Sequence, residues 1–340
     1  MKLLQIMAGA RHGGAEAFFT RLAIGLHKSG QEQRLVIRPA PEREAALANA
    51  GIAPLLLPFR GWLDFTTRPG LCRAISDYAP AIVLSWMNRA TSLCPRGDFV
   101  HVARFGGYYD LKYYRGCDHL IANTRGIADY LRAQGWDAER VHYLPNFPAT
   151  AKVAPIARAM FDTPAGAPVA LALGRLHPNK GFDVLIEALA DAPGIYLWLA
   201  GEGLEGAALQ QAAASLGLSD RVRFLGWRED IADLLAAADM LVAPSRVEPL
   251  GNTIIEAWAA KKPVIAASSD GPRELIQDNV TGLLVPVEDA DALAATLRRL
   301  AGDADLRARL AAGGFARYES EFSEASVIGA YRDFFARVAA

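Results

Sequence analysis

Short, nearly continuous apolar runs alternate with longer amphipathic stretches along all 340 residues. In the first half of the chain, the apolar runs predict strands over 2–7, 33–38, 54–58, 81–86, 99–104, 118–123 and 141–144. The helical spacing of apolar positions predicts helices over 15–29, 42–49 and 124–134, with Thr124 as the N-cap of the last one. Strands and helices that alternate in this way are typical of α/β domains with parallel sheets.

The same alternation restarts in the second half, after a stretch of different composition. Residues 145–166 contain four prolines and many alanines, and we predict a linker there. Beyond it, strands are predicted over 169–173, 195–200, 222–225, 240–243, 264–267 and 282–285, and helices over 181–190, 288–300, 303–312 and 324–338. The chain is therefore predicted to fold as two Rossmann-like αβα domains, over 1–150 and 166–320, that face a cleft.

The composition is that of a globular protein, with 52% apolar and 21% charged residues. No run of about 20 uncharged apolar residues occurs, so no transmembrane helix is predicted. The apolar run at 1–7 is too short for a signal peptide. The three cysteines, Cys72, Cys94 and Cys117, are far apart and have no metal-binding spacing, which indicates a reducing, cytoplasmic setting.

The charge is unevenly distributed along the chain. Residues 1–150 carry 18 Lys and Arg against 12 Asp and Glu, a net charge of +6, and the remainder carries 18 against 25, a net charge of −7. The first domain is therefore expected to meet an anionic partner, such as an acidic acceptor or a membrane surface. An uneven solvated surface explains the asymmetry equally well. No nucleic-acid partner is expected.

A glycine-rich turn at residues 9–16 follows the first predicted strand and opens a helix. Gly13 and Gly14 let the backbone approach a ligand closely, and the helix start supplies N–H donors. The spacing is not G-x-G-x-x-G, and Arg38 ends the second strand in place of an acidic residue, so dinucleotide binding is disfavoured. A tight structural turn is the alternative interpretation.

A second turn, at residues 174–181, carries two cations, Arg175 and Lys180. A guanidinium clamps a diphosphate through two hydrogen bonds, and an ammonium adds a point charge. The turn differs from the Walker P-loop, which ends in G-K-S or G-K-T. The sequence therefore indicates a phosphate-binding turn, with ordinary surface cations as the alternative.

A third segment follows the strand at 240–243 and holds two carboxylates. Glu248 lies at a turn, and Glu256 is predicted about two turns into the next helix. A carboxylate on a helix can accept both hydroxyls of a ribose, and one at a turn can accept the hydroxyls of a sugar. Pro249 and Gly251 fix the turn between them. Two ordinary exposed glutamates are the alternative.

Taken together, these motifs resemble those of the GT-B glycosyltransferases of family GT4. The resemblance is carried by G-G-A-E at 13–16, G-R-L-x-x-x-K-G at 174–181, Pro-Ser before E-x7-E at 248–256, K-P-V-I at 262–265, G-P-x-E at 271–274 and T-G-L-L-V-P at 281–286. It is close over most of 169–300. It implies the GT-B fold, with residues 321–340 as a helix that crosses back to pack on the first domain.

The resemblance also implies a retaining, metal-independent transferase without a cofactor, whose donor is a nucleoside-diphosphate sugar and is expected to be a UDP-sugar. Arg175 and Lys180 would bind the donor diphosphate, Glu256 its ribose and Glu248 its sugar. Other positions would border the donor, namely Trp227 and Arg228 at the base, and the backbone near Gly13, Gly14, Leu250, Gly251 and Asn252 at phosphate or sugar. The acceptor, a glycan or a lipid-linked sugar, would attack from the front face, and the leaving phosphate would take its proton.

Two departures from the family pattern bear on the site. The family often has E-G-F-G where this chain has E-P-L-G at 248–251, which keeps the carboxylate and changes the loop. Many members carry a catalytic histidine at the end of an N-terminal-domain strand. In the strand 99–104, His101 and Arg104 are both candidates for that position, and they lie on opposite faces of the strand. A histidine of the core or surface is the alternative for His101.

Two stretches, 59–68 and 108–115, mix aromatic and cationic residues and are the candidates for contact with the acceptor. Such surfaces stack on sugars or lie at a membrane interface, although ordinary packing explains them too. We predict a cytoplasmic enzyme with peripheral contact to the inner face of the membrane. The competing hypotheses are a non-catalytic nucleotide-sugar-binding protein and a GT-B sugar-nucleotide epimerase. A phosphorylase would need a pyridoxal lysine and a longer chain.

Overall fold

The structure is a computed structural model that describes residues 1–11, 13–61, 63–149 and 153–339. The chain folds into two compact units. One comprises Met1–Phe147 together with Glu324–Ala340, and the other comprises Pro148–Ser323.

The first unit alternates strands and helices. Its strands are β1 (Leu3–Met7), β2 (Gln33–Ile37), β3 (Leu55–Leu56), β4 (Ile82–Trp86), β5 (Val100–Phe105), β6 (His119–Ala122) and β7 (Val141–Tyr143). Its helices are α1 (Gly14–Lys28), α2 (Pro41–Asn49), α3 (Thr67–Tyr78), α4 (Met87–Leu93), α5 (Arg125–Ala133) and the C-terminal helix (Glu324–Val338).

All neighbouring strands of this unit are parallel, in the order β3-β2-β1-β4-β5-β6-β7. Strands β1 and β4 are buried along their whole length, and each is apolar except for one residue, Gln5 and Ser85 respectively. The C-terminal helix packs into the same core through Tyr331, Phe334 and Phe335, which are at most 2% exposed. This last helix is therefore part of the first unit, although more than 170 residues separate it from Phe147.

The second unit repeats the alternation. Its strands are β8 (Val169–Leu173), β9 (Tyr196–Ala200), β10 (Val222–Gly226), β11 (Met240–Ala243), β12 (Val264–Ala267) and β13 (Leu283–Val285). Its helices are α6 (Phe182–Ala190), α7 (Gly206–Ser215), α8 (Ile231–Ala237), α9 (Asn252–Ala259), α10 (Asp270–Leu275), α11 (Ala290–Gly302) and α12 (Ala304–Arg317).

The strand order of the second sheet is β10-β9-β8-β11-β12-β13, again all parallel. The order reverses between β8 and β11, as it does between β1 and β4 in the first sheet. Such a reversal leaves a crevice at the carboxyl ends of the two strands, because their connections leave toward opposite sides. The prediction of two Rossmann-like parallel α/β units is confirmed.

Two helices of the first unit, α3 and α4, are not among the helices predicted from the sequence. Helix α3 begins at Thr67, and its first turn contains Pro69 and Gly70. Proline is tolerated there because the first N–H groups of a helix have no partner within the helix. Asp64 supplies one instead, since its Oδ1 accepts the N–H of Thr67 at 2.9 Å.

Strand β3 is also shorter than expected, with two residues that lie at the edge of the sheet. Within the described ranges, no helix combines the length and the apolar character that a bilayer crossing requires.

Candidate functional site

The reversal between β8 and β11 brings two predicted motifs together. Lys180 lies in the turn after β8, and Glu248 lies in the turn after β11. The Lys180 ammonium donates to Oε2 of Glu248, and both side chains are largely buried, at 25% and 14% exposed. The other carboxylate oxygen, Oε1, accepts the N–H of Gly251 at 3.2 Å. An ammonium has three N–H donors, so Lys180 can hold Glu248 and still donate to a bound anion.

Two glycines allow the neighbouring turns to pack this closely. Gly181 has a φ of +63°, and a Cβ there would lie 2.2 Å from the carbonyl oxygen of Pro244, at the end of β11. A Cβ on Gly271, in α10, would lie 2.5 Å from the carbonyl oxygen of Glu248, which accepts the Gly271 N–H at 2.7 Å. The turns after β8, β11 and β12 therefore form one continuous surface only because these positions lack side chains.

Other residues that were predicted to bind the sugar donor lie on or beside the same turns. Arg175 is exposed and makes no ion pair with any residue in the described part of the chain. Asn252 is exposed at the first position of α9, Leu250 is half-buried, and Gly251 caps the helix with a φ of +80°. Glu256 is half-buried on α9. It is the fifth residue of that helix, a little over one turn from the start, and not about two turns as expected.

Arg246 is a contributor that sequence reasoning missed. Its guanidinium donates to both oxygens of Asp183 at 2.8 and 2.7 Å, to the carbonyl of Pro178 at 2.8 Å and to Glu288 at 2.7 Å. The carboxylates of Asp183 and Glu288 raise the pKa of Arg246, and Arg246 in turn lowers the pKa of Asp183. Arg246 thus ties the turn that carries Lys180 to the turn that carries Glu248. Its place directly after Pro244-Ser245 was the available signal.

A further glycine turn, after β9, was also missed. A Cβ on Gly201 would lie 1.8 Å from the carbonyl oxygen of Gly174, and one on Gly203 would lie 2.3 Å from that of Leu176. This turn therefore packs on the one that carries Arg175 and Lys180. Two glycines directly after a strand, as in the other turns, were the signal for it.

Trp227 and Arg228, which were predicted to border the base of the donor nucleotide, differ in their surroundings. Trp227 is 69% exposed, and its backbone N–H donates to Oε1 of Glu202 at 3.3 Å. The Arg228 guanidinium instead pairs with both oxygens of Asp230, at 2.9 and 2.5 Å. Trp227 presents its ring to solvent, whereas the side chain of Arg228 is engaged within its own turn.

In the first unit, the glycine turn folds around a buried carboxylate. Oε1 of Glu16 accepts the N–H of Ala10 at 2.8 Å, and a Cβ on Gly13 would lie 2.2 Å from Oε2. Arg43, only 5% exposed, donates to the carbonyl of Ala10 at 2.8 Å. A Cβ on Gly14 would meet no atom of the described residues within 4 Å. Glu16 therefore explains the need for a glycine at position 13, whereas no described neighbour explains the one at position 14. His12, in the same turn, lies outside the described residues.

His101 is 8% exposed, near the amino end of β5. Its Nε2 lies 2.9 Å from Oγ of Ser85, which in turn lies 2.9 Å from Oγ1 of Thr91. Burial lowers the pKa of His101 to about 4, so the imidazole is neutral at physiological pH. The structure places this side chain in a buried polar cluster with Ser85 and Thr91.

Arg104 lies near the carboxyl end of β5 and is 1% exposed. Its Nε donates to the Tyr331 hydroxyl at 2.8 Å, and its Nη2 donates to Oδ1 of Asn146. The guanidinium also stacks over Phe18 and Trp86, at 4.5 and 4.7 Å from the ring centroids. These contacts attach the C-terminal helix to the sheet. They also place the Arg104 side chain in the core of the first unit.

The two aromatic and cationic stretches divide between core and surface. In the first, Phe59 is buried, whereas Leu63 and Phe65 are 62% and 78% exposed. Trp62 lies outside the described residues. In the second, Tyr114 is buried and its hydroxyl donates to Asn88 at 2.6 Å, whereas Tyr108 is 52% exposed.

The matches to known families and proteins agree with this architecture. The family of glycosyl transferases group 1 matches residues 155–317, and Glycosyltransferase Family 4 matches residues 12–151. Two curated relatives from Rhizobium meliloti (strain 1021) are the lipopolysaccharide core biosynthesis glycosyltransferases LpsE and LpsD. LpsE is 38% identical over 94% of this chain and 95% of its own length. LpsD is 37% identical over 99% of this chain and 98% of its own.

Solved structures share the fold. The structure of Anabaena Alr3699/HepE in complex with UDP has a TM-score of 0.84 and 22% identity, and the match covers 99% of this chain and 100% of the other. The GT-B fold is thereby confirmed. The family matches cover Gly13 and Gly14, the two cations of the turn at 174–181 and the E-x7-E pair. The chain is a glycosyltransferase and belongs to the group 1, family 4 glycosyltransferases.

Proposed function

We propose that this enzyme transfers a sugar from a UDP-sugar to a growing lipopolysaccharide core, with retention of configuration and without a metal ion. The observation that carries the donor site is the contact between Lys180 and Glu248 at the strand-order reversal of the second sheet. The acceptor class is supported by the names of the two Rhizobium relatives, and UDP by the ligand of the Anabaena structure.

In this proposal, Lys180 and Arg175 bind the donor diphosphate. As the bond between the sugar C1 and the phosphate oxygen breaks, negative charge grows on the leaving UDP. A fixed ammonium and helix N–H groups stabilise that charge without reorganisation, which is how preorganised sites lower a barrier. Glu248 orients Lys180 and accepts from the donor sugar, and Glu256 accepts from the ribose. The Gly251 N–H holds Glu248, and the backbone N–H of Asn252, at the start of α9, points to the donor in this proposal.

For retention, the acceptor hydroxyl attacks C1 from the face that UDP leaves. The new bond forms between the acceptor oxygen and C1, and the acceptor proton passes to an oxygen of the departing phosphate. No side-chain nucleophile is required. His101 and Arg104 were expected near the reacting carbon, but their buried contacts favour structural roles. The expected location, in the cytoplasm with contact to the inner face of the membrane, stays a prediction supported by the exposed Leu63 and Phe65.

The deciding experiment mixes the purified enzyme with UDP-, GDP- and ADP-sugars and a truncated lipopolysaccharide acceptor, with and without EDTA. We expect release of UDP that depends on the acceptor and is unchanged by EDTA. Loss of activity in EDTA would overturn the metal-independent mechanism. Tight donor binding without turnover on any acceptor would favour a non-catalytic binding protein. Acceptor-independent formation of the epimeric sugar, free or still bound to the nucleotide, would favour epimerase chemistry.

Replacement of Glu256 by Gln tests the ribose contact. The amide keeps the shape of the side chain and removes the charge that strengthens its hydrogen bonds to hydroxyls, so we expect UDP affinity to fall about tenfold, on the order of 1.4 kcal/mol. Calorimetry with UDP measures this effect. Glu187→Gln makes the same change at an exposed position of α6 and serves as the control. Unchanged UDP affinity in Glu256→Gln would rule out the ribose role.

Replacement of Arg246 by Ala tests the attachment between the two turns. Without its bonds to Pro178 and Asp183, the turn that carries Lys180 is less well fixed, so we expect the donor KM to rise about tenfold, with a smaller change in kcat. Arg309→Ala removes an exposed arginine that binds a carbonyl elsewhere in the same unit. Equal donor KM values for the two variants would show that Arg246 does not position the site.

A further inference from the structure

A separate polar cavity of about 440 Å³ lies in the first unit. Three of the residues that line it mark the amino ends of neighbouring strands. His101 is the second residue of β5, Asp118 directly precedes β6, and Arg140 directly precedes β7. Ligand sites in parallel α/β sheets lie at the carboxyl ends of the strands. The cavity is therefore distinct from any site at the carboxyl edge of this sheet, and the proposed glycosyl transfer makes no use of it.

The wall of this cavity is cationic. Arg96, Arg115 and Arg140 all line it, and Asp118 is the one carboxylate among the described residues of its lining. Arg140 is held in place by carbonyls, since its Nε donates to that of Asp118 at 2.5 Å and its Nη2 to that of Cys117 at 3.0 Å. Arg96 and Arg115 are exposed, and neither forms an ion pair with another residue of the described ranges.

The charge of Asp118 is already engaged. Its Oδ2 accepts the backbone N–H of His101 at 2.8 Å, and its Oδ1 lies 3.7 Å from Nη2 of Arg140. Asp118 is set against Arg140. The charge of Asp110 also acts on Arg115, but Asp110 forms an ion pair with Lys112, so the three arginines leave an excess of positive charge at the cavity. Two guanidinium groups at one cavity repel each other and favour a ligand that carries two negative charges.

The other lining groups are neutral. Burial raises the pKa of Cys94 to about 12, raises that of Cys117 and lowers that of His101 to about 4. The thiols therefore stay protonated and the imidazole uncharged at physiological pH. A metal cation would need thiolate ligands and would be repelled by the arginines. The neutral groups add hydrogen-bonding capacity and leave the arginines to decide the sign of the ligand.

We propose that this cavity binds the phosphate group of a phosphate monoester through Arg96, Arg115 and Arg140. Such a group is close to doubly negative at neutral pH, and its oxygens match the paired N–H donors of a guanidinium. The phosphate can belong to a phosphorylated metabolite or to a lipid headgroup, because the chemistry at the cavity is the same. Either one is an anionic partner of the kind that the basic first half of the chain predicts.

The test uses the full-length protein and calorimetric titration with inorganic phosphate and with glucose 6-phosphate at low ionic strength. Its key variant is the double substitution Arg96→Ala and Arg115→Ala. Both side chains are exposed, so folding is expected to be retained, which thermal unfolding verifies. The control, Lys28→Ala with Arg73→Ala, removes two exposed cations from other positions of the same unit. We expect at least about tenfold weaker phosphate binding in the key variant and a change within about twofold in the control.

Cosedimentation with vesicles of phosphatidic acid, compared with phosphatidylcholine alone, identifies the source of the phosphate. Binding to phosphatidic acid that inorganic phosphate competes away assigns the lipid headgroup, and absence of vesicle binding beside clear glucose 6-phosphate binding assigns the free ester. Equal phosphate affinities in the wild type and the key variant would mean an adventitious ion only and would overturn the proposal. Undetectable phosphate binding by the wild type would overturn it as well. None of these readouts depends on glycosyl transfer.

Discussion

Replacement of Lys180 by Met is expected to lower the turnover number about 10²- to 10³-fold, the loss typical when one preorganised donor to a developing negative charge is removed. The methionine fills a similar volume and carries no charge. The donor diphosphate then leaves with less stabilisation, and Glu248 keeps only the Gly251 N–H as its partner among the contacts described above. Steady-state kinetics with saturating donor measures the effect.

A second variant distinguishes the role of Lys180 in catalysis from its role in the stability of the fold. A largely buried carboxylate that loses its cation destabilises the fold by about 1–3 kcal/mol, so Lys180→Met should also lower the thermal unfolding midpoint. Glu248→Gln in the same chain removes the uncompensated charge and should restore much of that midpoint while turnover stays low. If turnover recovered together with stability, the role of Lys180 would be structural only.

Replacement of Gly181 by Ala should disrupt the turn at residues 174–181 more than a substitution of an exposed side chain of the same turn. The position has a φ of +63°, and the new Cβ would lie 2.2 Å from the Pro244 carbonyl oxygen, so the two turns must move apart. We expect a cost of about 2–4 kcal/mol from left-handed strain and overpacking together, and a donor KM at least about tenfold higher. Thermal unfolding and donor titration report the two effects.

Gly217 provides a matched control for this prediction. Its φ is +69°, and a Cβ there meets nothing within 4 Å. Gly217→Ala therefore carries the conformational strain without the clash, and should cost about 1–2 kcal/mol with no change in donor KM. If both variants had the same donor KM, close packing of the turns would not be what shapes the donor site.

Much of the fold could be predicted because its signals are local. Strands β8, β11 and β12 have the bounds that their apolar runs predict, and the Thr124 hydroxyl caps α5 as expected, accepting the Ile127 N–H at 3.0 Å. Each of these elements is specified by a few adjacent residues. Helix α3 was missed because proline and glycine in a first turn look the same in sequence as a break.

Charged residues were harder to assign, because a sequence shows their type and not their burial. Arg104 was a candidate for catalysis, yet its partner Tyr331 lies 227 positions away on a helix that packs against the same sheet. Arg246 was not singled out at all, and its bond to Asp183 spans 63 positions. Such contacts depend on strand order and helix packing, which no local pattern encodes.

Local residue patterns were enough to predict the class of the molecule, namely two parallel α/β units with turns of glycine, cations and carboxylates at their strand ends, in the pattern of a glycosyltransferase. The tertiary structure alone decided which turns meet. Strand β11 pairs with β8 and not with its chain neighbour β10, and this pairing brings Lys180 to Glu248 across 68 positions. The physical reason is that strand order follows from the packing of whole helices and sheets, whereas residue patterns report only on the element that contains them.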